Sequence, residues 1–321
     1  MPTQDSLRPG ALITGVAGFI GSTLAEFLLG HGTRVVGVDC FTAYYGRPVK
    51  EANIHPLFSN PLFEFIEADL ASCAIGPVLD SLKGPFVVYH LAGQPGVRPS
   101  SAVDGRYTRD NVLTTRRLLG AVGQREVEKF VLASSSSVYG RAGRLPLTEC
   151  QPTEPISPYG ESKLKAERAC MTAWHRRGVP AVVARLFTAF GPRQRPDMAF
   201  HRFVSAMKAG REVDIYGDGT QTRDFTYVSD AVAGLILCAN APAGQVFNIA
   251  GGRSYELLRV VEVIERLCSI RAVLSKHSAS PYDPSYTSAS IAKAQTILGY
   301  RPMVDLENGL AEQIRWMESC P

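Results

Sequence analysis

The chain has 321 residues, 45% of them hydrophobic, which is enough for a full core and leaves room for two domains. Its net charge of +4 includes no basic tract, so nucleic acid is not an expected partner, and the scattered arginines suit a small anionic ligand instead. No apolar run approaches the roughly 20 residues that span a bilayer, the N-terminus has no apolar signal core, and the seven cysteines lack metal spacing; these features read as a cytoplasmic protein with reduced thiols and neither metal nor membrane association.

Ala11–Thr14 is a short apolar run, read as a buried strand. It enters the glycine loop Gly15, Gly18 and Gly21, which also contains Phe19 and Ile20, and a helical stretch follows over Ser22–Leu29. Strand, glycine turn and helix in that order is the context that gives such a fingerprint meaning. Gly15 permits the turn, Gly18 lets backbone approach a pyrophosphate, and Gly21 permits close helix–strand packing. The helix N-terminus adds N–H groups and partial positive charge. The bland alternative is a tight turn without a ligand. A second strand, Arg34–Val38, ends at Asp39. A carboxylate there suits two ribose hydroxyls and repels a 2′-phosphate, so NAD is favoured over NADP. Asp39 could equally cap a turn.

The alternation continues through Phe63–Ile66, followed by Asp69 and Leu70, and through Phe86–His90, followed by Leu91, Ala92 and Gly93. A helix is expected over Val103–Gly123, a fifth strand over Lys129–Leu132 and a sixth over Val182–Leu186. This βαβ pattern predicts an α/β, Rossmann-type doubly wound parallel sheet. Ligands in such sheets bind beyond the carboxyl ends of the strands. The glycine loop, Asp39, Asp69, Gly93, the serine run from Ser134 and the pair Phe187–Thr188 all fall at strand ends and should share one crevice.

Tyr159 and Lys163 lie four residues apart on a predicted helix and share a face. A phenol is a poor base at neutral pH. A nearby ammonium favours the phenolate, which can then take a proton from a sugar hydroxyl. Alone, the spacing fits a surface tyrosine beside a solvated lysine better; the surrounding motifs favour the functional reading.

After the sixth strand the alternation weakens. Helices are expected over Ala199–Ala209, Tyr255–Cys268, Ala289–Leu298 and Leu306–Met317, and strands over Val213–Tyr216 and Val246–Ile249. The expected division is a dinucleotide-binding domain over 1–187 and a smaller, mainly substrate-binding lobe over 188–321, with the chain returning to the sheet near 226–250. Phe200 and Phe203 at helical spacing read as core, with a base-flanking role as the alternative. His201 reads as a solvated helix residue and His90 as a satisfied strand-end histidine. The helices over Val103–Gly123 and Ser157–Arg176 are candidates to pair across a homodimer axis, where Ala166, Ala169 and Ala173 would allow close approach; packing within one subunit is the alternative.

Taken in order, Thr14–Gly21, His90–Gly93, Asn111, Ser134–Gly140, Tyr159 with Lys163, and Arg223–Val228 resemble the motifs of the extended short-chain dehydrogenase/reductases, in particular the nucleotide-sugar epimerases and dehydratases. The likeness covers nearly the whole chain. It implies NAD as cofactor, Tyr159 as catalytic acid/base, Lys163 as the residue that tunes it and binds the nicotinamide ribose, and Ser135 as the partner of the reacting hydroxyl. It places Asp69 and Leu70 at the adenine and Asn111 inside the site. A closer resemblance, to UDP-glucuronate 4-epimerases, rests on Gln94–Ser100, Arg185–Met198, and Tyr44-Tyr45 followed by Lys50. It implies a UDP-sugar substrate whose carboxylate meets Thr188 and Arg195, with Arg98 at the mouth and Arg223 on the diphosphate.

The match has departures. Where relatives often carry an Arg-x-x-Asp pattern near the C-terminus, Ser280 replaces the arginine and Asp283 remains. Gly93 stands where alanine is commoner, so a looser loop is expected. Related dehydratases place an acid just after the catalytic hydroxyl; Ser136 and Ser137 occupy those positions, and a hydroxyl is a far weaker general acid. Either serine could contact the sugar or cap the strand end. The rivals to uronate epimerisation are a UDP-glucose or UDP-N-acetylglucosamine 4-epimerase (in which Arg195 binds phosphate), a decarboxylase or dehydratase, and an idle NAD-binding regulator.

Overall fold

The computed structural model describes residues 9–82, 84–96, 105–123, 125–141, 144–282 and 284–319. The chain runs β1 (Gly10–Thr14), α1 (Phe19–Gly30), β2 (Val35–Asp39), α2 (Arg47–Ile54), β3 (Phe63–Glu67), α3 (Ile75–Asp80) and β4 (Phe86–His90). A π-helical segment, Tyr107–Leu113, leads into α4 (Thr114–Val122), then β5 (Val127–Ser135), α5 (Pro158–Arg177) and β6 (Ala181–Leu186). The remainder is β7 (Thr188–Phe190), α6 (Ala199–Lys208), β8 (Val213–Tyr216), β9 (Thr222–Tyr227), α7 (Val228–Ala239), β10 (Val246–Ile249), β11 (Ser254–Glu256), α8 (Leu257–Cys268), β12 (Leu274–His277), α9 (Ala292–Leu298) and α10 (Leu306–Ser319).

Seven strands form one parallel sheet in the order β10-β6-β5-β4-β1-β2-β3. This is the doubly wound Rossmann-type sheet read from the sequence. Strands β2, β4 and β6 are buried along their whole length, as a sheet covered on both faces requires. One face packs against α1 and α7, with Leu24, Leu28, Leu235 and Cys238 in the core; the other packs against α3, α4 and α5, with Leu79, Leu118, Ala166 and Cys170. The winding reverses between β1 and β4, whose Thr14 and His90 are register partners, and a crevice opens beyond their carboxyl ends. A three-stranded sheet, β11-β9-β7, and the pair β12-β8 stand on the side of this crevice formed by the second half of the chain. They enclose their own core of Phe190, Phe200, Val204, Ile215 and Ile264.

Several boundaries differ from the sequence reading. Helix α1 begins at Phe19 rather than Ser22, so Gly21 lies within its first turn. Ser254–Glu256 pairs with β9, and α8 therefore starts at Leu257. Helix α9 starts at Ala292, because Ala289 is tied by its N–H to Asp224. Strands β7, β9, β11 and β12 and helices α2, α3 and α7 have no counterpart among the elements expected from the sequence. Helix α7 has apolar residues on nearly every face and gives no helical periodicity. On α5, Ala166 and Ala173 are buried in the core against the sheet; the outward face carries Lys165, Arg168, Thr172 and Arg176. Among the described residues no helix is long and apolar enough to cross a membrane.

Candidate active site

The carboxyl ends of the strands open into a cleft of about 650 Å³. Gly15, Gly18, Phe19, Ile20, Gly21, Asp39, Asp69, Leu70, Leu91, Ala92, Gly93, Ser135, Ser136, Ser137, Tyr159, Lys163, Phe187, Thr188, Arg195 and Arg223 all line it. Asn111 lies just behind the wall, 1% exposed. Arg98 and Asp283 fall outside the described residues.

The glycine loop is shaped by what a side chain would strike. Gly15 has φ +74°, and a Cβ on Gly21 would sit 2.2 Å from the Gly15 carbonyl oxygen. No side chain caps the start of α1, so its first N–H groups face the cleft unclaimed by a capping side chain. Asp39 caps a turn, one of the two readings the sequence left open. It accepts N–H bonds from Ala17 at 3.1 Å and from Phe41 at 2.8 Å, pinning the loop and a left-handed turn at Phe41, while it still lines the cleft. Asp69 accepts from Ala71 N–H at 2.9 Å and from Arg109. Burial pushes its carboxyl up, but these bonds outweigh it and hold the group below the usual carboxylate range.

Helix α5 begins where its sequence says it should. Ser157 caps it by accepting from Gly160 N–H at 3.1 Å, and Pro158 occupies the first turn. Gly178, at φ +68°, ends it. Tyr159 therefore sits in the first turn and Lys163 one turn on, with Nζ 5.9 Å from the Tyr159 ring centroid. Lys163 is buried, and its Nζ donates to the Ala133 carbonyl at 3.0 Å, fixing its reach. The Ser135 hydroxyl accepts the Ser137 N–H and donates to Ser137 Oγ, both at 3.1 Å, so Ser135 itself caps the strand end.

Asn111 donates through Nδ2 to the Gln94 carbonyl at 3.1 Å and to Ser162 Oγ at 2.7 Å. Ser162 donates in turn to the Tyr159 carbonyl, which fixes the amide orientation. Asn111 Oδ1 and Gln94 Oε1 remain buried acceptors without a partner. A Cβ on Gly93 would lie 2.3 Å from Asn111 Oδ1. Gly93 therefore makes room for Asn111, and the looser loop expected from the sequence is corrected to a packed one.

The second half of the chain supplies the outer wall. Arg195 donates to Asp197 through Nε and Nη2, both at 2.9 Å. Burial works against its charge, but Asp197 prevails and holds the guanidinium protonated. Tyr44 donates to Asp197 at 3.3 Å, and Lys50 sits 4.8 Å over the Tyr45 ring. Burial raises the Tyr44 phenol. Tyr107 packs edge-on against Tyr159, with ring centroids 6.2 Å apart, and donates to the Gly96 carbonyl. Neither Asp197 nor Tyr107 was given a role from the sequence: Asp197 falls within the matched run Arg185–Met198, but only its bonds to Arg195 and Tyr44 show what it does, and Tyr107 belongs to no recognised motif. Phe200 packs in the core 4.6 Å from Phe225, whereas Phe203 is both core and cleft wall. His90 is held between Thr14 Oγ1 at 2.7 Å and Thr115 Oγ1 at 2.9 Å, and burial lowers its pKa to about 3, so it stays neutral. His201 is half-buried, with its side chain near Ser205.

The glycine cradle at the start of α1 fits a bound dinucleotide, whose pyrophosphate would meet its N–H groups. Comparison with known proteins agrees with this geometry. The model of the NAD dependent epimerase/dehydratase family matches residues 11–250. A UDP-glucose epimerase of Bacillus subtilis described as uncharacterised, YtcB, is 38% identical over 313 residues, 96% of this chain and 98% of its own. A UDP-glucuronate 4-epimerase of Thermodesulfobacterium geofontis is 34% identical over 308 residues, 95% of each. The crystal structure of UDP-glucuronic acid 4-epimerase from Bacillus cereus, in complex with UDP-glucuronic acid and NAD, superimposes with a TM-score of 0.92 at 37% identity, covering 96% of this chain and 99% of that one. With its fold, glycine loop and Tyr159–Lys163 pair, the chain belongs to the NAD dependent epimerase/dehydratase family.

Proposed function

We propose that this chain is an NAD-dependent UDP-sugar 4-epimerase that interconverts UDP-glucuronate and UDP-galacturonate through a 4-keto intermediate. The observation that carries the reading is the meeting, in one cleft, of Tyr159, Lys163 and Ser135 with Thr188 and Arg195. The glycine loop, Asp39, Asp69, Leu70, Leu91, Ala92, Gly93, Asn111 and Phe187 would hold NAD, which when bound accepts and returns a hydride at the sugar carbon. A carbon bearing a hydroxyl cannot invert while it stays tetrahedral, and oxidation makes it planar. Tyr159 takes the C4 hydroxyl proton as that carbon is oxidised and returns it after the sugar has turned its other face. Lys163 supports the phenolate by its charge, and Ser135 holds the reacting oxygen. Arg223 binds the diphosphate, and Ser136 and Ser137 line the sugar's path.

A 4-keto uronate is a β-keto acid and loses carbon dioxide when its C–C bond aligns with the carbonyl π system. Arg195 and the Thr188 hydroxyl hold the carboxylate out of that alignment. A neutral-sugar reading has one observation in its favour: Arg195 is already neutralised by Asp197, so the site is not a bare cation. Incubation with UDP-glucuronate and with UDP-glucose, followed by chromatographic separation of epimers and pentose, decides between them. Conversion of the neutral sugar alone would overturn the uronate reading.

We also infer a cytoplasmic homodimer in which α4 and α5 meet their copies. A groove of about 570 Å³ between these helices, lined by Leu119, Ala169 and Thr172, supports it. Light scattering that gives a monomer mass at micromolar concentration would remove it. The division near residue 187 into a dinucleotide-binding part and a mainly substrate-binding part belongs to the same reading.

A further inference from the structure

Glu167 lies one turn beyond Lys163 on α5, on the same face, and is 4% exposed. Its Oε1 accepts from Ser134 Oγ at 2.5 Å and from Arg185 Nε at 3.1 Å, and its Oε2 accepts from Arg185 Nη2 at 2.8 Å. Both partners stand at strand ends that border the cleft. Ser134 precedes Ser135 on β5, and Arg185 comes three residues before Thr188. Lys163 is tied to the neighbouring Ala133 on β5. One face of α5 is thus fastened to two consecutive residues of β5 and to β6.

The network extends further. The Arg185 guanidinium lies 4.7 Å over the Tyr139 ring, and the Tyr139 hydroxyl donates to Asn248 Oδ1 on β10 at 2.6 Å. Arg185 Nη1 has no partner. A buried ion pair with one unmet donor is a poor way to gain stability, because desolvation offsets most of the attraction and apolar replacements are often neutral. Geometry is where it differs from an apolar contact. Three directed hydrogen bonds on one carboxylate fix both the rotation and the rise of the helix, which apolar packing fixes less tightly.

We propose that Glu167 is a positioning residue: through Ser134 and Arg185 it sets the register of α5 on the sheet so that Tyr159, with Lys163 beside it, meets the hydroxyl held by Ser135. Displacing a catalytic group by about 1 Å can reduce turnover on the order of 10²-fold. The inference rests on the epimerase reading for the substrate and for the roles of Tyr159, Lys163 and Ser135.

The test uses the full chain with its bound cofactor and three variants: Ser134→Ala, Glu167→Gln, and Glu167→Leu combined with Arg185→Met. Melting temperature, kcat and KM are measured on whichever UDP-sugar the unaltered chain converts. Ser134→Ala, which leaves the ion pair intact, should lower kcat at least threefold with KM within twofold. Glu167→Gln should lower both the melting temperature and kcat, the latter at least tenfold. The apolar pair should recover most of the melting temperature but not kcat. Recovery of kcat together with stability would show a merely structural pair and overturn the proposal. So would a kcat for Ser134→Ala within 1.5-fold of the parent, a result available even if the other variants fail to fold. An unaltered chain that converts no UDP-sugar would instead count against the epimerase reading.

Discussion

Arg195 and Asp197 form a two-bonded ion pair at the wall of the cleft, Nε to Oδ1 and Nη2 to Oδ2, with Tyr44 of the loop after β2 donating to the same Oδ2. The pair fixes the plane of the guanidinium, and Nη1 takes no part in it. On the proposed reading, a uronate carboxylate arriving there would meet a preoriented donor rather than a mobile one. Loss of a charge-assisted hydrogen bond costs about 1.5–3 kcal/mol. Arg195→Ala should therefore lower kcat/KM for UDP-glucuronate by roughly 10- to 100-fold, change UDP-glucose turnover only a fewfold, and release UDP-pentose from the uronate. Chromatography of the products checks all three.

Gly93 and Asn111 compete for the same space, since a Cβ at position 93 would sit 2.3 Å from Asn111 Oδ1. Asn111 is held by two bonds through Nδ2 and cannot swing away freely. Overpacking of this kind costs about 1–3 kcal/mol. Gly93→Ala should lower the melting temperature and the amount of NAD that copurifies. In an Asn111→Ala background the same change should leave the melting temperature nearly unaltered, and thermal denaturation of the four proteins gives the coupling directly.

His90 and Asp224 should drive stability in opposite directions with pH. Burial lowers His90 from 6.5 to about 3, so the unfolded chain binds the extra proton, and stability is lost as pH falls from about 6.5 toward 3. Burial raises Asp224 from 3.8 to about 7, only partly countered by N–H bonds from Ala289 and Gly252. There the folded chain binds the extra proton, so stability falls as pH rises from about 4 to 7. Each slope is at most about 1.4 kcal/mol per pH unit. Between pH 5 and 6, His90→Asn should lose stability with rising pH relative to the parent chain, and Asp224→Asn should gain it. Denaturant unfolding at several pH values checks the two signs.

Much of the site was legible because its chemistry sits in short motifs at strand ends. The apolar runs, the glycine loop and the Tyr159–Lys163 spacing each carry local information, and the sheet order brings them together. What escaped depends on contacts between distant segments. Asp197 matters through a loop near residue 44, and Glu167 through Arg185 on another strand. Helix α7 packs between α1 and the sheet and carries apolar Ala233, Ile236 and Leu237 even on its half-exposed side, so no polar face marks its period. Strand β7 has three residues, too few for alternation to register. Of the α5 alanines read as a seam, Ala166 and Ala173 fill the core and Ala169 is half-buried, since small residues permit close approach to a sheet as readily as to a partner.

The most direct measurement is a comparison of the parent chain with Tyr159→Phe on UDP-glucuronate, reading epimer formation and retained NAD together. Removal of one hydroxyl should leave NAD bound and the fold intact while turnover falls at least 10²-fold, the range a positioned acid/base contributes. Undiminished epimerisation by the phenylalanine variant would contradict a proton transfer at that hydroxyl.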